Sequence, residues 1–84
     1  MKVEFEYDKE QNVWISQWFP SKNEPRYCYV IVQDEVDGFR FFSADMKFNI
    51  RQPLAGSIRI GSYLSFDEAV ALCEEATSQR SLEE

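Results

Sequence analysis

Residues 27–32 read Tyr-Cys-Tyr-Val-Ile-Val, six side chains without a charge and rich in β-branched and aromatic types. That composition suits a central strand. A strand that is oily on both sides needs both faces covered, whereas a strand with one wet face alternates. Residues 13–19, Val-Trp-Ile-Ser-Gln-Trp-Phe, have a similar two-sided apolar character. The fold follows from asking what neighbours these two runs and what can cover them.

Downstream, Asp34-Glu35-Val36-Asp37-Gly38 closes the central run with Asp-Gly, a strong tight-turn signal because glycine tolerates positive φ. Phe39 to Ser43 then reads as the returning strand of a hairpin. Upstream, Pro20 ends one strand and Pro25 precedes the next; proline cannot donate to a ladder, so Ser21 to Glu24 forms a loop. At the start of the chain, Val3, Phe5 and Tyr7 alternate with Lys2, Glu4, Glu6 and Asp8. This is a half-buried strand, turning at residues 8–12 into an antiparallel partner over 13–19. Ala44 to Gly56 carries two readings, an edge strand or an irregular flap laid over an open sheet face, because Pro53 and Gly56 break its alternation. Ser57 to Leu64 reads as a last strand bent at Gly61.

A helix follows. Ser65 and Glu68 fit a capping box, and Asp67 and Glu68 suit the positive end of the helix. Phe66, Ala69, Val70, Cys73, Ala76 and Thr77 fall on one face at helical spacing, with Leu72 beside them; from Ser78 onward the sequence is polar. The predicted fold is α+β: an antiparallel sheet of four or five strands, mostly meander, with one C-terminal helix packed on one face. A single small domain spans residues 1–80, with a polar tail at 81–84.

One helix does not match so much apolar sheet. About fourteen helical residues give a rod about 21 Å long and about 10 Å wide, which shields two or three strands about 4.8 Å apart. Trp14, Trp18, Phe19, Tyr29, Phe42 and Phe48 are the rings that this arithmetic leaves bare. The parity of the second strand stays open, with Val13 and Ile15 competing against Trp14 and Trp18 for the helix side. Either the 44–56 segment closes over the second face, or an aromatic patch faces water, which soluble monomers seldom leave large without a use.

The charge balance narrows the partners. With 9 basic and 15 acidic residues the net charge is -6, and the basic residues are scattered. Nucleic acid and anionic membrane surfaces need clustered Lys and Arg, so neither is an expected partner. No run is long enough to span a bilayer. Lys2 is followed by alternating residues and not by an apolar leader, so a cytoplasmic location is expected.

Chemistry is poorly provided for. The chain has no histidine, which removes the commonest general base and most transition-metal sites. Cys28 and Cys73 form no CxxC pair and read as buried apolar residues; they can bridge only if the helix crosses that strand. Asp34, Glu35 and Asp37 offer oxygen ligands, but their spacing misses the calcium-loop pattern and Gly38 accounts for the turn. Glu4, Glu6 and Asp8 lie along one exposed strand face with no cleft implied, and Gly56 and Gly61 lack phosphate-loop spacing. No cofactor or metal is expected, and the chain does not read as an enzyme.

The order of a hairpin, a glycine-flanked strand and a helix opening on Glu-Ala resembles HicB-type antitoxin domains, through Phe5-Glu6-Tyr7-Asp8, Trp14, Gly56, Gly61 and Glu68-Ala69. The intervening pair Tyr27 to Ser43 and the glycine-to-helix spacing depart from that pattern, so the family is not adopted. The expected function is a non-enzymatic protein-binding module, a small inhibitor or accessory protein of bacterial or phage type. Its contacts come from an aromatic sheet face, with Trp18, Phe19, Arg26, Tyr27 and Phe42 as anchors and a homodimer as the expected assembly. Two alternatives stand beside it. One is an acidic nucleic-acid mimic using Glu4, Glu6, Asp8, Glu10, Asp67, Glu68, Glu74 and Glu75. The other is an obligate homodimer with a structural role.

Overall fold

The computed structural model describes residues 2–49 and 56–83. The Tyr27 to Val32 run forms the middle of a long strand at Pro25–Val36, which organises the rest of the sheet. Strands are labelled in chain order: β1 (Phe5–Asp8), β2 (Val13–Ser16), β3 (Phe19–Pro20), β4 (Pro25–Val36), β5 (Phe39–Phe48) and β6 (Ser57–Leu64). All pairings are antiparallel and the spatial order is β1-β2-β4-β5-β6, with β3 beside the start of β4. Helix α1 (Phe66–Glu83) follows β6 and packs on one face, so the α+β architecture is as expected.

Local chemistry sets the turns. Asp37 (φ 52°) and Gly38 (φ 84°) supply the pair of positive φ angles that a two-residue hairpin needs, and Val36 pairs with Phe39 across them. At the β1–β2 turn the Asp8 carboxylate accepts the amides of Glu10 (2.9 Å) and Gln11 (3.3 Å), while its carbonyl accepts the Asn12 amide at 2.8 Å.

Three features differ from the sequence expectation. The run 13–19 is two strands, because the buried Ser16 hydroxyl takes over the ladder's work. It accepts the Tyr29 amide at 2.8 Å and donates to the Gln17 carbonyl at 2.9 Å. Strand β5 runs through Ala44 to Phe48, placing these residues inside the sheet and not in an edge strand or flap. Ala44 and Met46 pair with Ile31 and Tyr29 and are buried. The rest of the 44–56 segment, residues 50–55, lies outside the described residues. Finally, α1 stays helical to Glu83, past the point at Ser78 where its apolar face ends.

The sheet has two unlike faces. On the helix side lie Trp14, Tyr29, Ile31, Phe42, Ala44, Met46 and Phe48, packed with Phe66, Ala69, Val70, Leu72, Cys73 and Ala76. The Ser65–Glu68 box starts the helix as predicted: the Ser65 amide donates to Glu68 Oε1 (3.0 Å) and the Glu68 amide to Ser65 Oγ (3.1 Å). Near the other end of the helix, the buried Thr77 hydroxyl bonds the Tyr29 hydroxyl at 2.9 Å. Gly61 lies against the helix. A Cβ there would lie 2.5 Å from Leu72 Cδ2, so any side chain at this position requires the end of Leu72 to shift. The β5–β6 register shifts on both sides of Ala44, the residue that pairs with Gly61.

Candidate functional site: the open sheet face and its hairpin arm

Register and alternation assign the side chains that point away from the helix. Opposite pairs share a face, and Tyr29 and Ile31 fix the covered one. Val13 pairs with Val32 and Ile15 with Val30, so four β-branched side chains form a block on the open face. All four are half-buried with the helix on the other side. Glu6 and Asp8 flank the block on β1, opposite Ile15 and Val13. On its other flank, Asp45 pairs with Val30 and holds Arg59 through Nε–Oδ1 at 2.9 Å. That hydrogen bond, the charge of Asp45 and then the charge of Asp34 raise the Arg59 pKa. Lys47 stands at one end of the face, opposite Cys28.

The other end extends into an arm. Pairing of β4 with β2 stops at Val32, and pairing of β5 with β6 stops at Phe42. Beyond them β4 and β5 continue as a two-stranded hairpin through Asp34↔Phe41, Glu35↔Arg40 and Val36↔Phe39. Val36 and Phe39 project on the open side at 50% and 77% exposure. Tyr63, at φ 58° and 78% exposed, packs against Phe41 with ring centroids 4.5 Å apart and the rings tilted by 36°. Among the described residues, three of the five exposed large apolar side chains thus gather around the arm on one side of the sheet. The others, Tyr7 and Ile58, lie on outer strands at opposite edges.

The anchors expected from sequence fall elsewhere. Phe19 is in the core at 3% exposure, stacked on Tyr27 (centroids 5.5 Å, interplanar angle 17°) and edge-on to Tyr29. Phe42 packs edge-on to Trp14 and Phe66 beneath the start of α1. Arg26 is exposed and paired with Glu24. Trp18 is half-buried and lines a shallow groove with Gln17, Phe19, Pro20, Ser21 and Lys22. Phe19 and Tyr27 come together with Trp18 nearby, while Phe42 lies toward the far end of β4–β5. The aromatic face is therefore the covered one, because large rings gain most from burial under the helix. The open face is β-branched, and its rings are Phe39, Phe41 and Tyr63. The odd positions of Phe39 and Phe41 on β5, set against the Asp-Gly turn, were the sequence signal for those two.

The remaining chemical groups are occupied. Both cysteines are free and buried, and they cannot bridge: Cys73 faces the sheet from the helix, while Cys28 lies on the opposite side of β4 from Tyr29. Burial pushes both thiols up, Cys73 to about 12; Lys47 partly offsets the rise at Cys28. Among the acidic residues, Asp8 caps its turn, Glu68 caps the helix and Glu74 accepts the Val3 amide at 3.3 Å. Among the described residues no group of three or more Cys, Asp or Glu is arranged to hold a metal, and no helix is long and apolar enough to cross a membrane. No protein-family model matches the chain, and no curated protein or solved structure matches it.

Proposed function

We infer that the chain is a non-enzymatic protein-binding module, an accessory or inhibitory protein whose contact surface is the open sheet face with its hairpin arm. The observation that carries this reading is the apolar stripe from Ile15 and Val13 through Val30 and Val32 to Val36, Phe39, Phe41 and Tyr63 on the side away from α1. Its area is at the upper end of what monomers expose. Rings such as Phe39 and Tyr63 bury about 200 Å² each when enclosed. About three quarters of both are bare, giving about 300 Å², and the half-buried aliphatic block adds about 200 Å² more. The lack of histidine and the burial of both thiols support a binding role over a catalytic one. The acidic flank of Glu6, Asp8 and Asp34 supports a protein partner over nucleic acid.

Cross-linking in the source cell followed by mass spectrometry tests this reading. A photo-reactive residue at position 39 or 63 should capture a protein, which includes a second copy of the chain, that the same residue at exposed Glu10 does not. Identical captures from positions 39 and 10 would refute it.

A further inference from the structure

Carboxylates frame the aliphatic block on the open face. One row across β1, β2, β4 and β5 reads Glu6, Ile15, Val30, Asp45. The next reads Asp8, Val13, Val32, Ser43, and Asp34 follows Val32 along β4 before Val36 and Phe39. The nearby cations are offset or stand at one end. Arg59 is hydrogen-bonded to Asp45, Lys9 adjoins Glu10 on the β1–β2 turn, and Lys22 and Lys47 lie at the end away from the arm. Among the described residues Glu6 has no ion pair.

Any molecule that covers the block dehydrates this frame, and a carboxylate dehydrated without a cation is strongly destabilising. That requirement selects the occupant. A second copy packed by the same face sets like charge against like, and a phosphate-bearing surface does the same. A segment with Lys or Arg on both sides of an apolar stripe meets the block and the frame together. The dimensions suit a helix. Strands β1 and β5 are three strand spacings apart, about 14 Å, and a helix with its side chains is about 10–12 Å wide. From Val30 to Val36 the stripe runs about 20 Å, the length of about thirteen helical residues.

Resting on the reading above that this face binds protein, we propose that its occupant is an amphipathic helix of a partner protein, apolar toward Val13, Ile15, Val30 and Val32 and lined with Lys or Arg toward Glu6, Asp8 and Asp34. Long basic side chains suit these places, because their stems lie on apolar surface while their heads reach the carboxylates. The sheet becomes the middle of three layers, with α1 on its aromatic side and the partner's helix on its aliphatic side.

Calorimetric titration of the full chain with three synthetic peptides of about fourteen residues tests this, with circular dichroism to confirm that each variant folds. The first has Leu along one helical face and Lys elsewhere, the second has Glu in place of Lys, and the third scrambles the first. The Leu–Lys helix should bind with a dissociation constant below about 100 µM at about 0.15 M salt, and several-fold more weakly at about 1 M. The other two should bind at least about tenfold more weakly. Glu6→Lys and Phe39→Ser should each weaken the Leu–Lys helix at least about fivefold, whereas Glu75→Lys, an equal change of charge at an exposed position on α1, should leave it within about twofold. No binding of the Leu–Lys helix up to about 500 µM overturns the proposal. Equal binding of either other peptide overturns it too, as does a Glu75→Lys effect as large as that of Glu6→Lys. A cross-link from position 39 to a second copy, or to a partner segment without a basic amphipathic helix, overturns the helix alone and leaves the protein-binding reading standing.

Discussion

Replacing one ring on each side of the sheet measures directly which face is covered. Phe19 is 3% exposed and lies against Tyr27 and Tyr29, with ring centroids 5.5 and 5.8 Å away. Removing such a ring costs about 3–5 kcal/mol, through lost transfer energy and the cavity left behind. At roughly 0.05–0.15 kcal/mol per residue, an 84-residue domain holds about 4–13 kcal/mol in all. Phe19→Ala should therefore remove a large share of the stability and leave a chain partly unfolded at moderate temperature. Phe39 is 77% exposed on the arm, so Phe39→Ser should change the stability of the isolated chain by no more than about 0.5 kcal/mol. Urea unfolding followed by the fluorescence of Trp14 and Trp18 reads both. Submicromolar protein keeps self-association out of the measurement, and coincident curves at a tenfold higher dilution confirm it. The reasoning fails if Phe39→Ser costs more than about 2 kcal/mol in the dilute monomer, or if Phe19→Ala costs less than about 1 kcal/mol. Either result would mean that the helix covers the wrong side.

Four further outcomes follow from local geometry. Gly61→Ala should destabilise by about 1–3 kcal/mol, because the new methyl meets Leu72 Cδ2 at 2.5 Å; in a Leu72→Ala background the penalty should shrink, which thermal melts of the four chains will show. Ser65→Ala should cost about 1 kcal/mol through loss of the helix cap. The hydrogen bonds from the Ser65 backbone and side chain lower the Glu68 pKa below its ordinary 4.5, so its contribution is present above that value and lost as pH falls through the folded pKa. The melting-temperature advantage of the natural chain over Glu68→Gln should close on acidification. Both thiols should resist Ellman's reagent at pH 8 until the chain unfolds. Burial raises Cys73 from 9.0 to about 12, so its share of stability is intact below 9 and is lost as pH rises across that interval.

Elements whose signals are local were legible in the sequence. The Asp37-Gly38 turn, the Ser65–Glu68 cap and the apolar face of α1 each depend on a few neighbouring residues, and each is where the sequence places it. The faces of the sheet were not legible in the same way. Strand β2 reads apolar on both parities, so only its partners decide; Trp14 turns toward the helix because it lies beside Ile31 and contacts Phe42 and Phe66. Phe19 entered the core through a separate two-residue strand that pairs with Tyr27 across the short Pro20–Pro25 loop, and the apolar run 13–19 does not show where β2 ends and that strand begins. The arm depended on where β2 and β6 stop, which is a property of the neighbours and not of residues 34–41 themselves.

The side chosen by Trp14 decides what kind of surface is left for a partner. With the indole under the helix, the open face is given to Val13, Ile15, Val30 and Val32. Those four side chains do not by themselves require an occupant, since β-branched residues favour the extended backbone and are half-buried by their neighbours on a pleated sheet. Val36, Phe39 and Tyr63 are different. Strand preference is satisfied equally well by threonine, and water then meets a hydroxyl where it now meets a ring or a methyl. Exposed edges and arms are where chains usually place charge to prevent association, and on this arm the Glu35–Arg40 pair lies on one side of the ribbon. Val36, Phe39 and Phe41 lie on the other, with Asp34 among them opposite Phe41, and this side continues into the aliphatic block. The case for a docking surface therefore rests on the arm, and the block matters as the ground on which another molecule's projecting side chains can settle.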